Sequence, residues 1–212
     1  MKPKLKSYAL VTGNATNLVE LVTLAATGIQ IMTLDGELIV AGVLPVQEMG
    51  YIVLITSVGN DSGITFTIVG TDVDGAAQTE VVTGPNATTT VSTKFFRSIS
   101  SITASGDTAG DVSIGTSNAT LSALTPTLAL DMYSPATSVA VNISGTINYD
   151  LLKCFERPTA GDELNFVAGG LATQTTDGNT AYAAPVGGVR VEVNSYTNGA
   201  TLKLAVVQSR QV

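Results

Sequence analysis

The sequence predicts an all-β protein: two β-sandwich or jelly-roll-like modules with an extended N-terminal arm and almost no helix. Three observations predict it. Apolar residues alternate with Thr, Ser and Asn through most of the chain, and side chains on a strand point to opposite faces with period 2. Gly, Asn and Asp punctuate the chain about every 8 to 12 residues, the spacing of a sandwich or barrel. A length of 212 residues accommodates one large β-domain or two small ones, each with a proper core. The polar stretch 116–126, ending at Pro126, is the expected boundary. It gives an arm over 1–18, a first module over 19–120 and a second over 121–212.

The arm begins with Lys2, Lys4 and Lys6 around Pro3, then runs through Tyr8-Ala-Leu-Val-Thr12 to a turn at Gly13–Asn17. Leu18 to Ala26 has apolar content enough for a short helix, but its Val and Thr residues and the following Gly28 favour strand. Ile29–Leu34 and Glu37–Val43 flank Asp35-Gly36 and predict a hairpin. Tyr51-Ile-Val-Leu-Ile-Thr56 is nearly continuous apolar and predicts a central strand buried on both faces.

The clearest unit follows. Ile64, Phe66 and Ile68 alternate with Thr65, Thr67 and Val69, Asp74-Gly75 supplies the left-handed backbone of a tight turn, and Thr79–Thr83 returns as the partner strand. Strands are expected at Thr88–Phe96, Arg97–Thr103 and Asp111–Gly115. In the second module, Leu128–Met132 opens, and Val139, Val141 and Ile143 alternate inward. Thr146–Phe155 makes the next strand, with Leu151 and Leu152 breaking its alternation. Residues 157–180 predict a long loop with one short strand near Leu164–Val167. Val189, Val191 and Val193, then Leu202, Leu204 and Val206, predict a closing hairpin about Thr197-Asn-Gly199.

Composition bounds the function. Charged residues are 13% of the chain, about half the usual quarter of a soluble domain. The polar surface is therefore built mainly from Thr, Ser, Asn and Gly, which suits packing against other protein because little charge has to be desolvated. A net charge of −7 argues against attraction to nucleic acid phosphates. The lysine arm is a local exception, either docking on an acidic neighbour through Lys2, Lys4 and Lys6 or lying solvated as a frayed terminus. No apolar run reaches about 18 residues, so no transmembrane helix is expected, and the N-terminus does not read as a signal peptide.

Reactive chemistry is not in evidence. The chain has no histidine, which removes Ser-His-Asp and Cys-His arrangements and the commonest general base. Cys154 is alone and in apolar context, so it reads as a buried inert thiol. Phosphate-binding glycine loops are missing. Asp72-x-Asp74-Gly75 with Glu80 faintly resembles a calcium loop, but reads as turn chemistry because Val and Ala occupy the places of further ligands. Lys94-Phe95-Phe96-Arg97 is the one cluster fit to stack single-stranded nucleic acid, against the alternative of a strand buried on both faces or a subunit contact. Tyr182 and Tyr196 offer weak support for a sugar-binding surface. The expectation is a non-enzyme without cofactor or metal.

The residues also carry a resemblance. Ser62–Gly75, Gln78–Pro85, Phe96–Thr103 and Val112–Gly115 resemble a module common in virion structural proteins of tailed bacteriophages. Val139–Thr146, the strand bearing Tyr149, Pro185–Ser195 and the Val207-Gln208 ending are similar to a second pattern of such proteins. Leu151–Glu156 departs from it, and no Trp stands in the following loop. The resemblance implies β-sandwich modules that bind other virion proteins. Its first implication is a capsid decoration or cement protein on the lattice of the major capsid protein, a homo-oligomer (trimer or dimer) made in the bacterial host cytoplasm and carried on the capsid surface. The alternative is a neck or tail component, such as a connector ring or receptor-binding adhesin. A carbohydrate-binding module is the third class.

Overall fold

The computed structural model describes residues 3–119, 121–134, 136–158 and 164–209. No helix occurs among them. In chain order the strands are β1 (Lys4–Ala9), β2 (Asn14–Val22), β3 (Gln30–Ile31), β4 (Gly50–Ser57), β5 (Thr65–Thr71), β6 (Ala77–Thr83), β7 (Thr89–Phe96), β8 (Ser98–Ala104) and β9 (Val112–Thr116). They continue as β10 (Ala123–Leu124), β11 (Leu128–Ala129), β12 (Thr137–Ser144), β13 (Ile147–Cys154), β14 (Val167–Ala168), β15 (Gly178–Tyr182), β16 (Gly188–Tyr196) and β17 (Thr201–Gln208). The protein is all-β, and it divides into two compact units. The first module is Thr12–Ser117; the second joins Met1–Val11 to Asn118–Val212.

The first module is a sandwich of two antiparallel sheets, β2-β9-β4-β7 and β3-β8-β5-β6. Leu18, Val53, Ile55 and Ile114 from one sheet share a core with Phe66, Ile68, Ile99 and Ile102 from the other. Each such side chain contributes about 1.5–3 kcal/mol on burial. The apolar run of β4 has the position it predicts, between β9 and β7.

The β5–β6 hairpin forms as the alternation requires, with Thr65 opposite Thr83 and Thr71 opposite Ala77. Its turn is built by Asp72, whose Oδ1 accepts the N–H groups of Asp74 (2.9 Å) and Ala76 (2.8 Å). Gly75 takes φ +93°, which is costly for any residue with a Cβ.

Asp35-Gly36 is not a hairpin turn, contrary to its local signal. Only Gln30–Ile31 pairs as a strand, and its partner is β8. The backbone N–H groups of Asp35 and Gly36 donate to Leu18 O, and Leu38 N–H donates to Asn17 O. A Cβ on Gly36 would lie 2.2 Å from the Asn17 carbonyl carbon. The glycine is there for close backbone approach to β2.

In the second module the sheets are β1-β17-β12-β15 and β14-β13-β16, with β10 and β11 also on β16. Val139, Val141, Leu202, Leu204 and Val206 are buried from the first sheet; Ile147, Tyr149, Leu151, Val189, Val191 and Val193 are buried from the second. Pro126, between β10 and β11, has no N–H to give a ladder, which fits the break between two short strands.

Three expectations need correction here. Residues 4–9 of the expected arm are an edge strand, β1, paired with β17 from Lys4↔Val206 to Ala9↔Thr201; buried Tyr8 anchors it. Residues 14–18 of the same segment already belong to β2 in the first module. The closing hairpin does not form: β16 pairs with β13, whereas β17 pairs with β12 in the other sheet. The short Thr197–Ala200 connection crosses between sheets. Finally, residues 157–180 hold the short strand expected near Leu164–Val167, as β14, but also the start of an unexpected strand, β15, which adds to β12. The Asp177-Gly-Asn179 signal is a strand start: Asp177 accepts the N–H of Ile143 (2.7 Å) and the amide of Asn142 (3.2 Å). These two bonds, the backbone one first, hold its carboxyl below the usual carboxylate range. Residues 159–163 of the expected loop lie outside the described residues.

Candidate interaction face

The strands β3, β5, β6 and β8 carry a single charged residue, Glu80. Period 2 divides their side chains between the core and the outward face of this sheet. The register sets Ile31, Thr103, Thr67 and Val81 in one cross-strand row and Ser101, Val69 and Thr79 in the next. Ile31 is 78% exposed and Val81 61% exposed. Glu80 belongs to the other face, opposite buried Ile68. Its carboxylate accepts Thr93 N–H (2.7 Å), the Thr93 hydroxyl (2.8 Å) and Lys94 N–H (3.0 Å), while Lys94 Nζ donates to Thr79 O. The outward rows are thus methyl and hydroxyl groups with no ionic side chain, so covering them with another protein strands no charge.

The predicted lysines lie elsewhere. Lys2 is outside the described residues. Lys4 and Lys6 are exposed on β1, and Lys4 Nζ donates to Ala129 O at 2.5 Å. That bond ties the edge strand to β11 within the second module. Lysines on an edge strand also discourage pairing with a further strand.

The remaining sequence candidates are absorbed by the fold. Phe96 is in the first core, and Arg97 Nε donates to Gln47 O (2.7 Å), so Lys94–Arg97 is part of the sandwich wall and forms no stacking platform. Tyr182 and Tyr196 are both buried. Burial pushes the Tyr182 hydroxyl up to about 12; it donates to Gly169 O. Cys154 is buried, and burial first of all pushes its thiol up, which disfavours the reactive thiolate. Asp72 is committed to its turn and Glu80 to β7, so the calcium-like motif does not converge. Among the described residues no three His, Cys, Asp or Glu side chains group to hold a metal ion.

A polar cluster that no motif announced stands on β13 and β16. Asp150 is paired in register with Glu192. The Asp150 oxygens accept Thr173 N–H (2.5 Å) and the Asn194 amide (2.7 Å). Arg190 stacks its guanidinium 3.6 Å from the centre of the Phe166 ring, and Lys153 lies 4.6 Å from that of Tyr182. The Glu192 carboxyl is raised by burial; Arg190 pulls it back and Asp150 pushes it further up. These contacts hold the segment 166–173 against the sheet. Alternation placed these residues outward, but only the register and the returning loop make them a cluster.

No protein-family model matches the chain, and no curated protein is similar to it in sequence. Among solved structures, the N-terminal tandem CBM22-1-CBM22-2 domain of Paenibacillus barcinonensis Xyn10C is 10% identical, with a TM-score of 0.27 over 95% of this chain and 100% of that one. A structure of the infectious bursal disease virus Gx strain is 11% identical, with a TM-score of 0.17 over 97% of this chain and 70% of that one. Likeness at these scores assigns no function.

Proposed function

We propose that the protein is a non-enzymatic virion structural protein of a tailed bacteriophage. In this reading it is a capsid decoration or cement protein that binds the major capsid protein lattice as a homo-oligomer. The observation that carries it is the uncharged outward face of β3-β8-β5-β6, with Ile31 and Val81 in solvent beside a field of Thr and Ser. A rigid hydroxyl and methyl face on a sheet loses little conformational entropy on docking. The motif resemblance of residues 62–115 and 139–208 supplies the particle context.

The test is the copy number of the chain against the major capsid protein in purified particles. A decoration protein is present in hundreds of copies, and particles stripped of it open at lower temperature. A count of about 6 to 12, the order of a ring, transfers the protein to the neck or tail. Absence from purified particles overturns the proposal.

A further inference from the structure

We infer that Asn198 is a site of spontaneous deamidation, driven by the backbone nitrogen of Gly199 and assisted by the side chain of Asn118. A glycine after Asn or Asp leaves its nitrogen unhindered beside a side-chain carbonyl carbon, where attack closes a five-membered imide. Four such steps occur: Asp35-Gly36, Asp74-Gly75, Asp177-Gly178 and Asn198-Gly199. Three are restrained. Gly36 N–H donates to Leu18 O and Gly75 N–H to Asp72 O, each at 3.2 Å. Gly178 starts β15, and a Cβ there would lie 2.8 Å from the Tyr149 hydroxyl and 3.0 Å from Leu171.

The fourth step is different, and it is the one with the better leaving group. Asn198 and Gly199 are exposed and form the centre of the connection between β16 and β17. The hydrogen bonds at this connection include Thr197 N–H to Thr146 O (2.9 Å), Thr146 N–H to Thr197 Oγ1 (3.2 Å) and Ala200 N–H to Thr197 O (3.1 Å). Among the described residues, Gly199 N–H donates to no protein acceptor. Gly199 has φ +82°, and nothing lies within 4 Å of the position a Cβ would take. Glycine accepts either sign of φ, so Gly199 can turn its nitrogen toward the Asn198 side chain while the Ala200 N–H to Thr197 O bond persists. Asn118 Nδ2 donates to Asn198 Oδ1 at 3.4 Å, which polarises the carbonyl under attack.

The step balances without an outside oxidant or reductant. The N–Cγ bond forms, the Cγ–Nδ2 bond breaks, and the side-chain nitrogen leaves as ammonia with the proton lost from Gly199 N–H. Water then opens the imide at either carbonyl, giving aspartate or isoaspartate at 198. The chain, already at −7, gains one negative charge. The isoaspartate branch also lengthens the backbone of a connection that must span two sheets.

The experiment is incubation of the intact folded protein at mildly alkaline pH, followed by tryptic mass mapping of residues 191–203, beside a synthetic peptide of the same sequence. The expected result is a gain of one mass unit at Asn198 in the folded protein, with an isoaspartate fraction, and its loss in Asn198→Gln. Asn118→Ala should slow the gain by roughly three- to tenfold, the worth of one net hydrogen bond expressed as a rate. A folded protein that stays unchanged while the peptide converts overturns the proposal, as does a gain that maps to another asparagine. An unaltered rate in Asn118→Ala removes that side chain from it.

Discussion

Replacing Asp61 by alanine should cost the first module about 2–3 kcal/mol, and replacing it by asparagine only about 1 kcal/mol. Asp61 is 2% exposed. One oxygen accepts Ala109 N–H at 2.7 Å and the other the Ser57 hydroxyl at 2.5 Å. A hydrogen bond to a charged group contributes about 1.5–3 kcal/mol net. The Ser57 hydroxyl has a second acceptor in Gly59 O at 3.2 Å, so alanine orphans mainly Ala109 N–H. Asparagine keeps an acceptor for Ala109 and can point its amide at Ser57 Oγ, losing only the charge. At an m-value of about 2 kcal/mol/M, alanine lowers the urea midpoint by about 1–1.5 M without changing the slope. Urea unfolding with amide exchange at Ala109 reads both effects. An Asp61→Ala midpoint at the wild-type value, or equal costs for the two variants, would refute the reasoning.

Glu192→Gln should raise the melting temperature at neutral pH. A carboxyl whose folded value is raised above its unfolded one contributes stability below the unfolded value and loses it as pH rises through the folded one. The benefit of glutamine therefore fades at acid pH, and melts at both pH values that show the reverse order would sink the assignment. Deleting residues 1–9 removes β1 and the buried Tyr8 ring, for a loss of about 2–3 kcal/mol from Tyr8 alone; an unshifted melt would return this segment to the status of a free arm. Thr67→Glu, mid-sheet between Thr103 and Val81, should leave stability within about 0.5 kcal/mol. It should weaken capsid binding at least about tenfold by stranding a charge in the contact. Unchanged binding would remove this face from the proposed function.

Alternation in the sequence reported which residues are buried, and it did so in both modules. It did not report which strand lies beside which. Val189–Val193 and Leu202–Val206 alternate as a hairpin would, yet the same pattern serves two strands that face each other across a core. Only the β5–β6 pair carried a second local signal, the Asp72 side chain folding back on its own turn. Asp35-Gly36 misled because a glycine needed for a close contact with Asn17 is indistinguishable in sequence from one needed for a turn. The Lys153, Phe166, Tyr182 and Arg190 contacts were illegible for the same reason: they depend on a loop returning across β13. The uncharged face was legible as composition, and the register gave it an address.

The acids of this chain explain how such a face can exist on a protein with a net charge of −7. With no helix among the described residues, loops and strands hold many backbone N–H groups that no ladder satisfies, and burying one unpaired is costly. At least eight of the seventeen acids accept such groups: Asp35 from Glu20, Asp61 from Ala109, Asp72 from Asp74 and Ala76, Glu80 from Thr93 and Lys94, Asp131 from Tyr133, Asp150 from Thr173, Glu156 from Asn165, and Asp177 from Ile143. Much of the negative charge is therefore committed to joining strands and fastening loops. The outward rows of β3-β8-β5-β6 are left to Thr, Ser, Val and Ile, whose β-branched members suit a pleated sheet on their own account. Low surface charge here follows from the placement of the acids as much as from their number, and a partner meeting this face has no ion to desolvate.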